Sequence, residues 1–114
     1  EGYSLYINDL FLYKCVHLTR KVVFVTDTRP NTNSVKLAKN ADVLIHEATF
    51  PHHLRDKSRE QFHTTENQAM EIADAAQVKR LILTHFSQRL KDEELREWIW
   101  HGQSCVVLDE RQKI

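Results

Sequence analysis

Apolar residues fall into short blocks separated by polar loops, and the spacing inside each block predicts an element. Tyr3 to Ile7 and Leu10 to Val16 are apolar and aromatic, with Asn8-Asp9 between them, which predicts a hairpin. Lys21 to Asp27 holds the β-branched run Val22-Val23-Phe24-Val25, a buried strand ending in polar residues. Thr28 to Thr32, with Pro30, is a loop, and Asn33 or Ser34 caps a short helix through Lys39 with Val35 and Ala38 inward. Asp42 to Ile45 is a second buried strand that delivers His46 and Glu47 at its end. Phe50 to Phe62 is charged and irregular, a mobile loop or short helix. Thr65-Glu66-Asn67-Gln68 has the form of a capping box, and Ala69, Ile72, Ala73 and Ala76 recur behind it at helical spacing. Arg80 to Thr84 is a third buried strand, followed by His85. Asp92 to His101 reads as a helix with Leu95, Trp98 and Ile99 on one face and Gly102 as its stop, and Ser104 to Leu108 as a last strand. Strands and helices alternate through the middle of the chain, which is a layered α/β arrangement. No repeat or linker divides the sequence, so residues 1–114 are read as a single domain.

Composition narrows the function. The formal net charge is zero, which argues against the broad basic field of an autonomous nucleic-acid-binding module. It leaves room for an enzyme that meets RNA locally. Cys15 and Cys105 have no paired spacing, so they are expected to be small buried apolar residues in a reducing compartment. No apolar run approaches the ~18 residues of a membrane span, and Glu1 to Asp9 is patterned like a strand and not like a signal peptide. Histidine is abundant at seven, and glycine is limited to Gly2 and Gly102, which restricts turns needing positive φ.

Three polar groups follow three buried strands: Asp27, the pair His46-Glu47, and His85. Strands of one α/β sheet bring such groups to a common edge, where ligands bind. Imidazole and carboxylate together suit zinc or a similar divalent metal. Each residue also has a plainer role. Asp27 can cap a turn, His85 can be a hydrogen-bonded structural histidine, and His63 can satisfy helix amides. His52 and His53 are expected in a loop, and His17 and His101 are expected to be structural or on the surface.

The segments taken in order say more than the residues singly. Val25-Thr26-Asp27-Thr28-Arg29-Pro30 resembles the Gly-Asp-Thr-Arg-Pro segment of ribonuclease Z, a zinc-dependent endonuclease family of the metallo-β-lactamase superfamily that trims the 3′ end of precursor tRNA. Leu44-Ile45-His46-Glu47-Ala48-Thr49-Phe50 resembles its His-Glu-Ala-Thr segment, His63-Thr64-Thr65 its His-Ser-Thr helix start, and Leu83-Thr84-His85-Phe86-Ser87-Gln88-Arg89 its Thr-His-Phe-Ser-x-Arg segment. The resemblance implies half of a metallo-β-lactamase-type αββα sandwich, with a mixed β-sheet flanked by helices. It implies Asp27 as a carboxylate bridging two zinc ions and His85 as an imidazole ligand. His63 would be the proton donor to the leaving 3′ oxygen, and Glu47 would orient it and keep it charged. His46 would stabilise the strand end, and Ser87 would help bind phosphate. The implied partners are precursor tRNA and a second copy in a homodimer, and the implied location is cytoplasmic.

Two departures from the family pattern matter. Thr26 stands where the family has glycine, placing a β-branched side chain at a tight spot. No His-x-His-x-Asp-His run is present, and no two histidines sit two apart. The superfamily draws most of its metal ligands from that run, so these residues offer only part of a dinuclear site. The expectation is therefore a carboxy-terminal half, a fragment whose missing amino-terminal half supplies the other ligands and which is inactive by itself. The alternatives are a metallo-β-lactamase-fold phosphodiesterase with another substrate, and a non-catalytic fragment or interaction domain.

Overall fold

The structure, a computed structural model, describes residues 20–111 in full and 4–7 and 12–17 as main chain. Six strands form a mixed sheet in the order β1-β2-β3-β4-β5-β8. Here β1 is Ser4–Ile7, β2 Leu12–His17, β3 Arg20–Val25, β4 Val43–Glu47, β5 Arg80–Thr84 and β8 Val106–Val107. The first three are antiparallel neighbours, and β3, β4, β5 and β8 run parallel. The expected first hairpin is thus present as a strand pair, while its Asn8-Asp9 turn lies outside the described residues. So do the side chains of Cys15 and His17.

Parallel neighbours need crossovers, and helices supply them. Helix α1 (Thr32–Ala38) links β3 to β4, and α3 (Glu66–Ala76) links β4 to β5. Asn31 caps α1 by accepting from the Ser34 amide, two residues before the earlier candidate cap Asn33. The capping box of α3 is present in both directions between Thr65 and Gln68, and Ala69, Ile72, Ala73 and Ala76 are buried as their spacing predicts. Between them, residues 50–62 form a 3₁₀ turn at His52–Leu54 and the short helix α2 (Arg55–Glu60). His52 and His53 therefore sit in an ordered turn and not in an irregular loop.

The segment after β5 departs from the pattern. Helix α4 spans only Asp92–Glu97, and the chain then forms a small hairpin of β6 (Ile99–Trp100) and β7 (Gln103–Ser104). Trp98 is already extended and packs its ring 5.9 Å from that of Phe86. Ile99 is 58% exposed, so it belongs to no inward helical face. His101 and Gly102 both have positive φ, at 53° and 75°, as a two-residue turn between twisted strands requires. Gly102 therefore turns a hairpin and does not stop a helix. The expected last strand is broken at half-buried Cys105 into β7 and β8, so Cys105 is not the fully buried residue its type suggested.

Register assigns the two faces of the sheet. The row Val25, His46, Leu83, Val107 lies toward α1 and α3, and its first three members are wholly buried. The row Phe24, Ile45, Ile82, Val106 lies on the other face, where Phe24, Ile45 and Ile82 are half-buried and Val106 is 60% exposed. Helices thus cover one face only, and the second face is apolar without a second layer over it among the described residues.

Candidate active site

The parallel register carries three strand ends to one edge. Val25, His46 and Leu83 are level, so Asp27, Glu47 and His85 emerge within one or two residues of the same line. The backbone turns left-handed at Asp27 (φ 55°) and at His85 (φ 62°), which bends each side chain off its strand. Thr26 is outside the positive-φ residues, so its β-branch sits in ordinary backbone. The scarcity of glycine does not restrict such turns here: Asn40, Phe62 and Gln77 also take them. Three of these strained positions, Asp27, Phe62 and His85, flank the site.

Glu47 is the centre of the arrangement. Its side chain has no solvent exposure. The amide of Thr28 donates to Oε1 at 2.6 Å, the Thr49 hydroxyl to Oε2 at 2.6 Å, and the Thr64 amide to Oε2 at 3.1 Å. His63 Nδ1 lies 3.0 Å from Oε2 and 3.2 Å from Oε1. Every partner is a donor, which suits a group that only accepts. Since Nδ1–H donates to Glu47, Nε2 is the nitrogen His63 offers elsewhere. The imidazole is 16% exposed, the Phe50 ring stands edge-on at 5.9 Å, and Asp27 Oδ1 is 3.9 Å from Nδ1.

His85 is fixed through Thr49. Its Nδ1 lies 3.1 Å from the Thr49 hydroxyl, and its ring centre 5.6 Å from that of His63. The Thr49 hydroxyl faces two acceptors, Glu47 Oε2 at 2.6 Å and the His85 carbonyl at 2.8 Å, and with its proton on either one its oxygen receives Nδ1–H from His85, which leaves Nε2 with its lone pair. That is the tautomer a metal ligand needs. Sequence reasoning did not single out Thr28, Thr49 or Thr64, yet all three hold Glu47 in place. The signal was present in the segments themselves, where a threonine follows Asp27 and His63 directly and Glu47 by two.

Donor atoms of Glu47, His63 and His85 lie within 4.8 Å of one another, a cluster compact enough for a metal ion. The hydrogen bonds argue against it as a ligand set, because both oxygens of Glu47 already face four donors whose positive ends would repel a cation. The outward pair, Asp27 with 59% of its side chain exposed and His85 with no hydrogen bond to Nε2 among the described residues, fits the nitrogen-plus-oxygen chemistry of zinc. They fit as part of a site that needs further ligands.

The other histidines point elsewhere. His46 lies in the core row with Nδ1 donating to the Glu47 carbonyl at 2.8 Å and Nε2 without a partner, and its burial pushes its pKa below the usual histidine value. His52 bonds the Thr65 hydroxyl at 2.9 Å, and exposed His101 pairs with Asp74 at 2.8 Å. The Ser87 hydroxyl oxygen accepts from the Arg89 amide at 3.3 Å.

The profile of the β-lactamase superfamily domain matches residues 15–86. The chain belongs to the metallo-β-lactamase superfamily. Within that superfamily it is 49% identical over 93 residues to Ribonuclease BN of Proteus mirabilis, covering 82% of this chain and 30% of that protein. It is 48% identical over 75 residues to Ribonuclease Z of Brevibacillus brevis, covering 66% of this chain and 24% of that protein. The crystal structure of the short form of human tRNase Z superposes with a TM-score of 0.66 at 34% identity, over 77% of this chain and 40% of that one. The chain thus spans less than a third of the length of these two curated relatives. Its single sheet with helices on one face is one αβ half of the superfamily's αββα sandwich, and the resemblance read from four segments is to the same ribonuclease Z proteins.

Proposed function

We propose that this chain is the carboxy-terminal half of a zinc-dependent endoribonuclease that removes 3′ trailers from precursor tRNA. The observation that carries the reading is the His63–Glu47 pair standing beside Asp27 and His85 at one sheet edge. Asp27 and His85 would hold zinc, with the remaining ligands coming from the amino-terminal half. The chemistry zinc supplies when bound is polarisation of the phosphodiester and acidification of an attacking water. His63, held by Glu47 through Nδ1, presents Nε2–H to the leaving 3′ oxygen and passes it the proton an alkoxide needs near pH 7. Glu47 keeps the ring in that orientation throughout, because its other donors come from three separate segments.

Precursor tRNA is the substrate this reading assigns, and the homodimer and the cytoplasmic location follow from the same family. No helix among the described residues is long and apolar enough to cross a membrane. The test is zinc content and cleavage of a precursor tRNA, measured on the chain alone and after mixing with the amino-terminal half of a ribonuclease Z. The expected result is weak zinc binding and no cleavage alone, then about two zinc ions per molecule and a tRNA ending in a 3′ hydroxyl after mixing. A zinc-loaded mixture that leaves the trailer in place would overturn the reading.

A further inference from the structure

A cleft of about 480 Å³ opens beside His63, lined also by Arg29, Arg55, Asp56, Arg59 and Gln68. Arg55 and Arg59 are four residues apart on α2 and so share a face. Three guanidiniums meet a single carboxylate there, and none of the three has an ion-pair partner among the described residues. In a chain of zero net charge this is a local positive field and not the overflow of a basic surface. Arg29 ties the cleft together, since its Nε donates to the Arg59 carbonyl at 2.7 Å. Its guanidinium carbon lies 4.0 Å from the centre of the Phe62 ring.

Phe62, which reaches the cleft through its contact with Arg29, is the unusual residue. It is 60% exposed, so burial does not explain an aromatic side chain there. Its backbone is left-handed, with φ 62°, where glycine would fit without strain. A strained, exposed aromatic ring stacked on an arginine, next to unpaired guanidiniums, has the parts of a single-strand binding platform. Positive groups track phosphates, and a π-face receives an unpaired base.

We propose that this cleft binds single-stranded RNA at the cut, with Arg29, Arg55 and Arg59 on consecutive phosphates and a base stacked on the Phe62–Arg29 pair. The proposal rests on the reading of His63 as proton donor: because His63 lines the same cleft, the strand held there is the one whose 3′ oxygen it protonates. A duplex would not serve, because paired bases hide the faces that Phe62 stacks on.

The experiment is fluorescence anisotropy of a labelled single-stranded RNA of about 12 nucleotides, within the usual site sizes, titrated with the chain over a range of salt. The double variant Arg55→Ala/Arg59→Ala is expected to raise Kd about tenfold and to lower the salt slope of log K by roughly 1.4. Phe62→Gly is expected to raise Kd about tenfold with the slope unchanged, while its Tm rises because the left-handed backbone is relieved. Loss of binding together with gained stability separates a binding role from a structural one. Arg80→Ala, exposed at the far end of β5, should change neither quantity. Asp27→Ala should bind RNA as the unaltered chain does and lose only cleavage in the assembled enzyme. RNA binding without cleavage by the unaltered, zinc-loaded assembled enzyme would overturn the nuclease reading and leave the cleft standing. Phe62→Gly binding RNA undiminished, or a polyglutamate peptide competing as well as unlabelled RNA, would overturn the cleft.

Discussion

His63 Nδ1 sits 3.0 Å from Oε2 of Glu47, a carboxylate wholly withdrawn from water. The pair fixes which ring nitrogen faces outward, and under the proposed function that nitrogen hands a proton to the departing group. His63→Ala should therefore leave bound metal in the assembled enzyme and slow RNA cleavage by about 10²–10⁴-fold. A phosphodiester with a nitrophenolate leaving group should lose much less, since that anion departs unprotonated. Steady-state rates on both substrates decide it. Equal losses would make His63 a phosphate-binding or structural residue.

Thr49 touches Glu47, His85 and the neighbourhood of His63 through one hydroxyl. Thr49→Val keeps the shape and removes that hydroxyl, leaving Glu47 short of a donor and His85 Nδ1 without its acceptor. Stability should fall by about 1–3 kcal/mol in urea denaturation. Zinc affinity of the assembled enzyme should fall by roughly 10–100-fold, the usual effect of losing a partner behind a ligand. Thr49→Ser should restore most of both. Unchanged zinc affinity in Thr49→Val would dissociate Thr49 from the metal edge.

Much of this site was legible because its residues lie at strand ends, and strand ends can be read from β-branched runs such as Val22 to Val25. The Thr65–Gln68 capping box was equally plain, since its two bonds are local. The hairpin after Glu97 was not legible, because Trp98 leaves the helix to pack on Phe86, a partner distant in sequence. Left-handed turns at Asp27, Phe62 and His85 were hidden for a related reason. Aspartate and histidine take that backbone only occasionally and phenylalanine rarely, so the surrounding contacts and not the residue types decide where it occurs.

His46 makes stability depend on pH. Its burial holds the pKa below the unfolded value of 6.5, against weaker opposing effects from Glu47. Above pH 6.5 both states are neutral at this residue, and its contribution is flat. As pH falls through 6.5 the unfolded chain takes up the proton first, so unfolding gains until the folded pKa is reached. Urea midpoints should decline as pH falls through 6.5, and His46→Gln should flatten that decline. An equal slope in the variant would assign the effect to other groups.

Arg111 fastens the segment after β8 to the loop after His85. Its Nη1 donates to the Ser87 carbonyl at 2.7 Å and to the Leu90 carbonyl, while Nε and Nη2 grip Asp109, each at 2.9 Å. Arg111→Ala should cost about 1–3 kcal/mol and raise amide exchange across residues 87–90. Arg111→Lys should recover little, since one ammonium cannot reproduce the fork. Unchanged exchange in the alanine variant would show that the loop holds its shape without the clasp.

The row Phe24, Ile45, Ile82, Val106 also bears on how such a protein is made. A sheet face that stays apolar and partly open, as this one is among the described residues, is a binding surface for chaperones and for other copies at high concentration. Under the proposed function, a second half would shield this face and supply the missing ligands together, so one layer would protect the chain from aggregation as it completed the site. Selection for solubility and selection for catalysis then act on one docking event.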